Sequence, residues 1–138
     1  MQNNQISLQQ LRSGGMVKVQ IQGLCGLYWH FGIVSDQRNW RGIPYVISNS
    51  SANGGVREET WEKFSGGQDV QILGFLSALQ PHEVIANAWR LSTKPYNLIF
   101  WDCERFARAC QGVPSRSTQL ETTLLAAVVG ALFLAARG

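Results

Sequence analysis

Met16 to Ile21 (MVKVQI) alternates apolar and polar side chains, the period of a strand with one face buried. Gly23 and Gly26 break the pattern. Leu27 to Ser35 (LYWHFGIVS) follows, dense in aromatic and β-branched residues, and reads as a second strand. A turn-forming stretch, Asp36 to Pro44 (DQRNWRGIP), leads into a short third strand, Tyr45 to Ile47 (YVI). Two strands joined by a loop of this length pair as an antiparallel hairpin. This early succession of short strands is the strongest constraint on the fold. Ahead of it, residues 1–15 form a polar lead with one helical turn around Leu8 and Leu11, ended by Gly14-Gly15.

Beyond the hairpin the pattern changes. Ser48 to Gly55 (SNSSANGG) is a loop by composition. Val56 to Phe64 reads as a strand entering one short helical turn, closed by Gly66-Gly67, and Val70 to Leu73 is a further strand. Pro81 to Leu91 is expected to be helical, with Pro81 in the first turn and Val84, Ala88 and Leu91 on one face. Lys94-Pro95 interrupts the chain. Asp102 to Gln111 forms a second helix, and Gly112 stands where a left-handed residue closes one. The expected class is α+β: a small antiparallel sheet packed on the helix that carries Cys103.

At 138 residues the chain suits one folded domain, placed at residues 16–112, with a linker at 113–121. Charged residues make up only 15%, against an average near ~25%, so much of the chain should be buried in protein or lipid. The net charge of +3 is mild and no Lys/Arg run reaches five, so no nucleic-acid partner is expected. Cys25, Cys103 and Cys110 make an odd count without paired spacing, which argues against a disulfide framework. Two histidines and no CxxC argue against structural zinc, and no cofactor is expected. The polar N-terminus lacks the apolar core of a secretory signal, so a reducing, cytoplasmic setting is the expectation.

Residues 122–138 are expected to form an apolar C-terminal helix, because Thr122 to Ala136 (TTLLAAVVGALFLAA) is uncharged and apolar around its whole circumference. Fifteen helical residues span ~22 Å, short of a hydrocarbon core of ~30 Å. Two readings stand: a C-terminal membrane anchor, holding the protein on the cytoplasmic face, and a terminal helix buried in a soluble cytoplasmic protein.

Chemistry concentrates at two residues. Cys103 opens a predicted helix, where the helix dipole favours a thiolate. Asp102 beside it is a good N-cap, yet its charge opposes ionisation of the thiol. Cys103, Phe106, Ala107 and Cys110 also recur at the spacing of a buried helix face, so a core cysteine is the alternative. His30 lies mid-strand on one face with Tyr28 and Gly32. There it is either a packed core histidine or a general base on a rigid strand, with Gly32 leaving room for substrate or backbone. His82 begins a polar helix and reads as solvated. Cys25 has no activating neighbour.

Two segments carry a family resemblance. YNLIFWDCERF resembles the cysteine motif of the lecithin:retinol acyltransferase family, matching at Tyr96, Asn97, Leu98, Cys103, Glu104 and Phe106. YWHFGIVSD resembles that family's histidine strand, and PYVISNSS its next strand. The histidine precedes the cysteine by 73 positions (103 − 30), the order of a circularly permuted papain-like enzyme. The resemblance covers roughly residues 16 to 111. It implies a permuted papain-like fold and a thiol-dependent acyltransferase or acyl hydrolase, with Cys103 as nucleophile and His30 as base. It also implies an acyl substrate such as a phospholipid ester and a C-terminal membrane anchor. The third family position, commonly a second histidine, is Ser48 here, with Asn49 adjacent. Either side chain can orient an imidazole by hydrogen bonding. Asp102 replaces the motif's Asn, and Arg105 replaces its His after Glu104. The alternatives are a peptidase or amidase of the same fold and a catalytically inactive binding module.

Overall fold

A computed structural model describes residues 7–21, 28–52, 54–97 and 101–114. They form an α+β fold whose centre is a five-stranded antiparallel sheet. The strands are β1 (Met16–Gln20), β2 (Trp29–Arg38), β3 (Pro44–Ser50), β4 (Gly55–Glu59) and β5 (Val70–Gly74), in the spatial order β4-β3-β2-β1-β5. Three helices complete it: α1 (Trp61–Ser65), α2 (Pro81–Arg90) and α3 (Cys103–Cys110). A single 3-10 turn covers Leu8–Gln10, at the place where the leucine spacing predicts one.

Strand alternation divides the interior into two apolar layers. Met16, Phe31, Ile33 and Ile47 face α2 and α3, where they pack on Val84, Ala88, Phe106 and Ala107. Val17, Val19, Val34 and Val46 face the other way, onto Phe64 of α1 and Leu11 of the lead. The sheet is therefore apolar on both faces, with helices on each, as a two-interface α+β layering requires. The Arg38 guanidinium ties the lead to the β2–β3 hairpin by donating to the carbonyls of Leu8, Gln9, Leu11 and Gly42.

Two boundaries differ from the sequence reading, for physical reasons. β2 continues to Arg38, and the turn tightens to Asn39–Gly42. There the Asn39 side chain accepts from the amides of Arg41 (2.8 Å) and Ile43 (3.0 Å), and Gly42 takes a positive φ of 78°. β3 continues through Ser50, so Ser48 and Asn49 belong to a buried strand and not to a loop. Inside, Ser48 Oγ meets the His30 ring and the Asn49 NH2 group meets main-chain carbonyls, while Asn49 Oδ1 has no partner among the described residues.

The helix ends follow their caps. The Thr60 side chain caps α1, and Gly66 closes it with φ 57° in the left-handed region. Gln80 and Glu83 form a reciprocal capping box at α2, with Pro81 in the first turn. The Asp102 carboxylate accepts from the Arg105 amide at 2.9 Å, capping α3 as its position suggests.

Candidate active site

The parting of β2 and β3 builds the site. Their register pairs Ile33 with Ile47 and Val34 with Val46 and goes no further toward Trp29. The Ile21 amide bonds the Tyr28 carbonyl, so even-numbered β2 residues direct their main chain toward β1 and odd-numbered ones toward β3. Along Trp29 to Phe31 it is Cys103 that comes up against the β2 backbone. The thiol lies 3.8 Å from the Trp29 carbonyl and also meets the Phe31 backbone amide. Cys103, first residue of α3, thereby sits in the gap of the sheet edge-on to β2.

His30 rises from the face shared with Val19 and Phe64. Its ring packs against Phe64, with centroids 5.2 Å apart and planes tilted by 35°. Its Nε2 lies 3.2 Å from Ser48 Oγ. When Nε2 donates to the Ser48 hydroxyl, Nδ1 is the nitrogen left to receive a proton. Asn49, one residue on, points to the α3 side, where its amide donates to the carbonyls of Trp101 (3.0 Å) and Asp102 (3.4 Å). So Ser48 is the His30 partner, while Asn49 fixes the approach to α3. The two neighbours serve opposite faces, as strand alternation demands.

A cavity of about 490 Å³ opens where these faces meet, lined among others by His30, Cys103, Asn49, Glu59, Phe64 and Tyr96. Cys103 and His30 share it, but no hydrogen bond joins the two side chains. Cys103 is only 8% exposed, and Phe106, Ala107 and Cys110 on the same helix face are fully buried. The cysteine thus belongs to the core face that its spacing suggests and opens at the same time onto the cavity.

Burial governs the protonation states. It pushes the Cys103 thiol from an ordinary 9.0 up to about 12. The Phe31 and Glu104 amides pull it down, and the carboxylates of Asp102 and Glu104 push it further up. The helix start therefore does not make a resting thiolate here. Burial lowers the His30 pKa, and the Glu59 carboxylate partly offsets this. At neutral pH the Cys103 thiol and the His30 imidazole are therefore both neutral. Burial likewise pushes Cys110 up to about 12. Tyr96 is raised by burial, then by the nearby Cys103 and Asp102.

Gly32 has a different role from the room for substrate read in the sequence. A Cβ there would lie 2.5 Å from Val46 Cγ1 and 3.0 Å from Phe64 Cε2. The space is taken by core side chains that support the His30 ring. His82 is exposed at the start of α2, while Cys25 and the run Thr122–Ala136 lie outside the described residues. Glu59 and Phe64 were not singled out by sequence. VREETWEKF reads as a strand entering a helical turn, and only its pairing with β3 reveals which side chains turn inward. Among the described residues no cluster of three metal-ligating side chains forms, and no helix is long and apolar enough to cross a membrane. Comparisons with protein-family models and with curated proteins find no match.

Proposed function

We propose that this protein is a thiol-dependent acyltransferase or acyl hydrolase of permuted papain-like fold, working through a thioester on Cys103. One observation carries the reading: the first residue of α3 and a Ser48-bonded His30 open onto the same cavity. In the first half-reaction the Cys103 S–H proton passes to His30 Nδ1 as the sulfur bonds to the acyl carbon. The C–O bond then breaks, and the leaving alcohol takes the proton back from the imidazolium. In the second, water or another acceptor loses its proton to His30 while attacking the thioester, and the thiol is restored. The amides at the start of α3 stand beside the sulfur and suit the developing oxyanion. Because the resting thiol is neutral, proton transfer accompanies attack.

The lipid-ester substrate and a C-terminal anchor on the cytoplasmic face rest on the resemblance to the lecithin:retinol acyltransferase family and on the apolar run at Thr122–Ala136. Phospholipid vesicles, a soluble aryl ester and a peptide amide, each assayed with wild type, Cys103→Ala and His30→Ala, test the proposal. Ester turnover lost in both variants supports it, and turnover of the peptide alone moves the assignment to a peptidase of the same fold. Deep burial of the thiol favours one further reading, an inactive binding module. Wild-type protein inert toward all three substrates would select it.

A further inference from the structure

The His30 face of the sheet carries a carboxylate. The β3–β4 register sets Val46 opposite Glu59 and Ser48 opposite Arg57, so Glu59 rises on the same face as Ser48 and His30. Its side chain is only 10% exposed, and it lines the cavity together with His30. Lys63 of α1 reaches Glu59 Oε1 at 3.9 Å from a side chain that is 68% exposed. Among the described residues, the other groups around the ring supply no second inward carboxylate. β1 contributes uncharged Val19, and β3 contributes Ser48. Arg57 of β4 is exposed, and Cys103 and Tyr96 approach from the α3 side. Lys18 lies on the opposite face against Trp29.

We propose that Glu59 is the electrostatic partner of His30, a positioning residue that steadies the imidazolium formed when the ring takes the Cys103 proton, with Lys63 tempering its charge. Ser48 orients the ring through a neutral hydrogen bond and cannot stabilise positive charge as a carboxylate does. Glu59 supplies that charge from a neighbouring strand, on the low-dielectric side of the cavity where a unit charge acts over several ångströms. This role deepens the acyl-transfer reading and rests on it, but its electrostatic core can be measured without turnover.

The chain has two histidines, so ring-proton NMR titration resolves His30, with exposed His82 as internal reference. In Glu59→Gln the His30 midpoint moves to lower pH. In Lys63→Met, which removes that ammonium from beside the carboxylate, it moves to higher pH. The acid limb of the rate profile follows His30 in the same two directions, and kcat of Glu59→Gln drops ~10-fold. A His30 midpoint unmoved in Glu59→Gln overturns the proposal, whatever the rate does. Should that variant fail to fold, an unmoved midpoint in Lys63→Met overturns it equally. If the wild type turns over no substrate, the titration still decides the Glu59–His30 coupling, and the acyl-transfer reading fails separately.

Discussion

Ser48 and Asn49 divide the labour of one strand end, and their alanine variants should fail differently. Ser48→Ala removes the hydrogen bond that the His30 ring makes to Ser48 and should lower turnover with little change in substrate binding. Asn49→Ala removes a buried hydrogen bond to the Trp101 carbonyl, which keeps its bond from the Asn97 amide, and should cost ~0.5–1.5 kcal/mol of stability. Steady-state kinetics beside urea denaturation separates the two. If Asn49→Ala alone impairs turnover at full stability, the assignment is reversed. The pH dependence follows from the same burial. The Cys103 pKa is raised on folding, so its contribution to stability is complete below about 9.0 and is lost as pH climbs toward about 12. The His30 pKa is lowered on folding, so its contribution is present above the ordinary 6.5 and is lost as pH falls. Stability should therefore be greatest between these limits, and a denaturation series from pH 5 to 10 that rises toward either end would contradict the assigned burial.

Two elements make the site rigid. α3 is held by its cap, and Asp102 exerts two opposed effects: its carboxylate bonds the Arg105 amide and also disfavours the Cys103 thiolate. Asp102→Asn keeps a capping side chain and removes the charge. It should leave stability within about 0.5 kcal/mol and speed alkylation of Cys103 at fixed pH, with Cys110 unaffected. Equal alkylation of the variant and wild type would mean that burial alone sets the thiol. On β2, Gly32→Ala must push Val46 or Phe64 aside. It should cost ~1–3 kcal/mol and disturb the ring beneath His30, a loss that thermal unfolding and turnover would both register. The apolar alternation of β1 and the helix signals around Pro81 and Gly112 were readable without coordinates, because local sequence alone sets them. The length of β3 was not. Ser48 and Asn49 have loop-like composition, and only partners 18 and 52 positions away make them strand residues.

At the scale of the molecule, the α+β class with an antiparallel sheet follows from the sequence, since short strands joined by short turns leave few other ways to bury their faces. The strand order does not follow. β5 pairs with β1, far from it along the chain, through non-local contacts that no local pattern encodes. For the candidate site, Cys103 and His30 stood out by their motifs. Glu59 did not, because a charge on a strand reads as solvated until its neighbour strand is known. A C-terminal anchor predicts that the intact chain resists an alkaline carbonate wash of membranes. A chain that stays soluble with residues 122–138 present, and unfolds when they are removed, would make that segment part of the core. The central claim is that Cys103 accepts an acyl group with His30 as its base. Intact mass after incubation with an electrophilic acyl ester tests it most directly. One acyl adduct is expected on the wild type, with far slower labelling of His30→Ala and none on Cys103→Ala. An adduct that persists in Cys103→Ala, or a wild type that stays unlabelled at neutral pH, would contradict it.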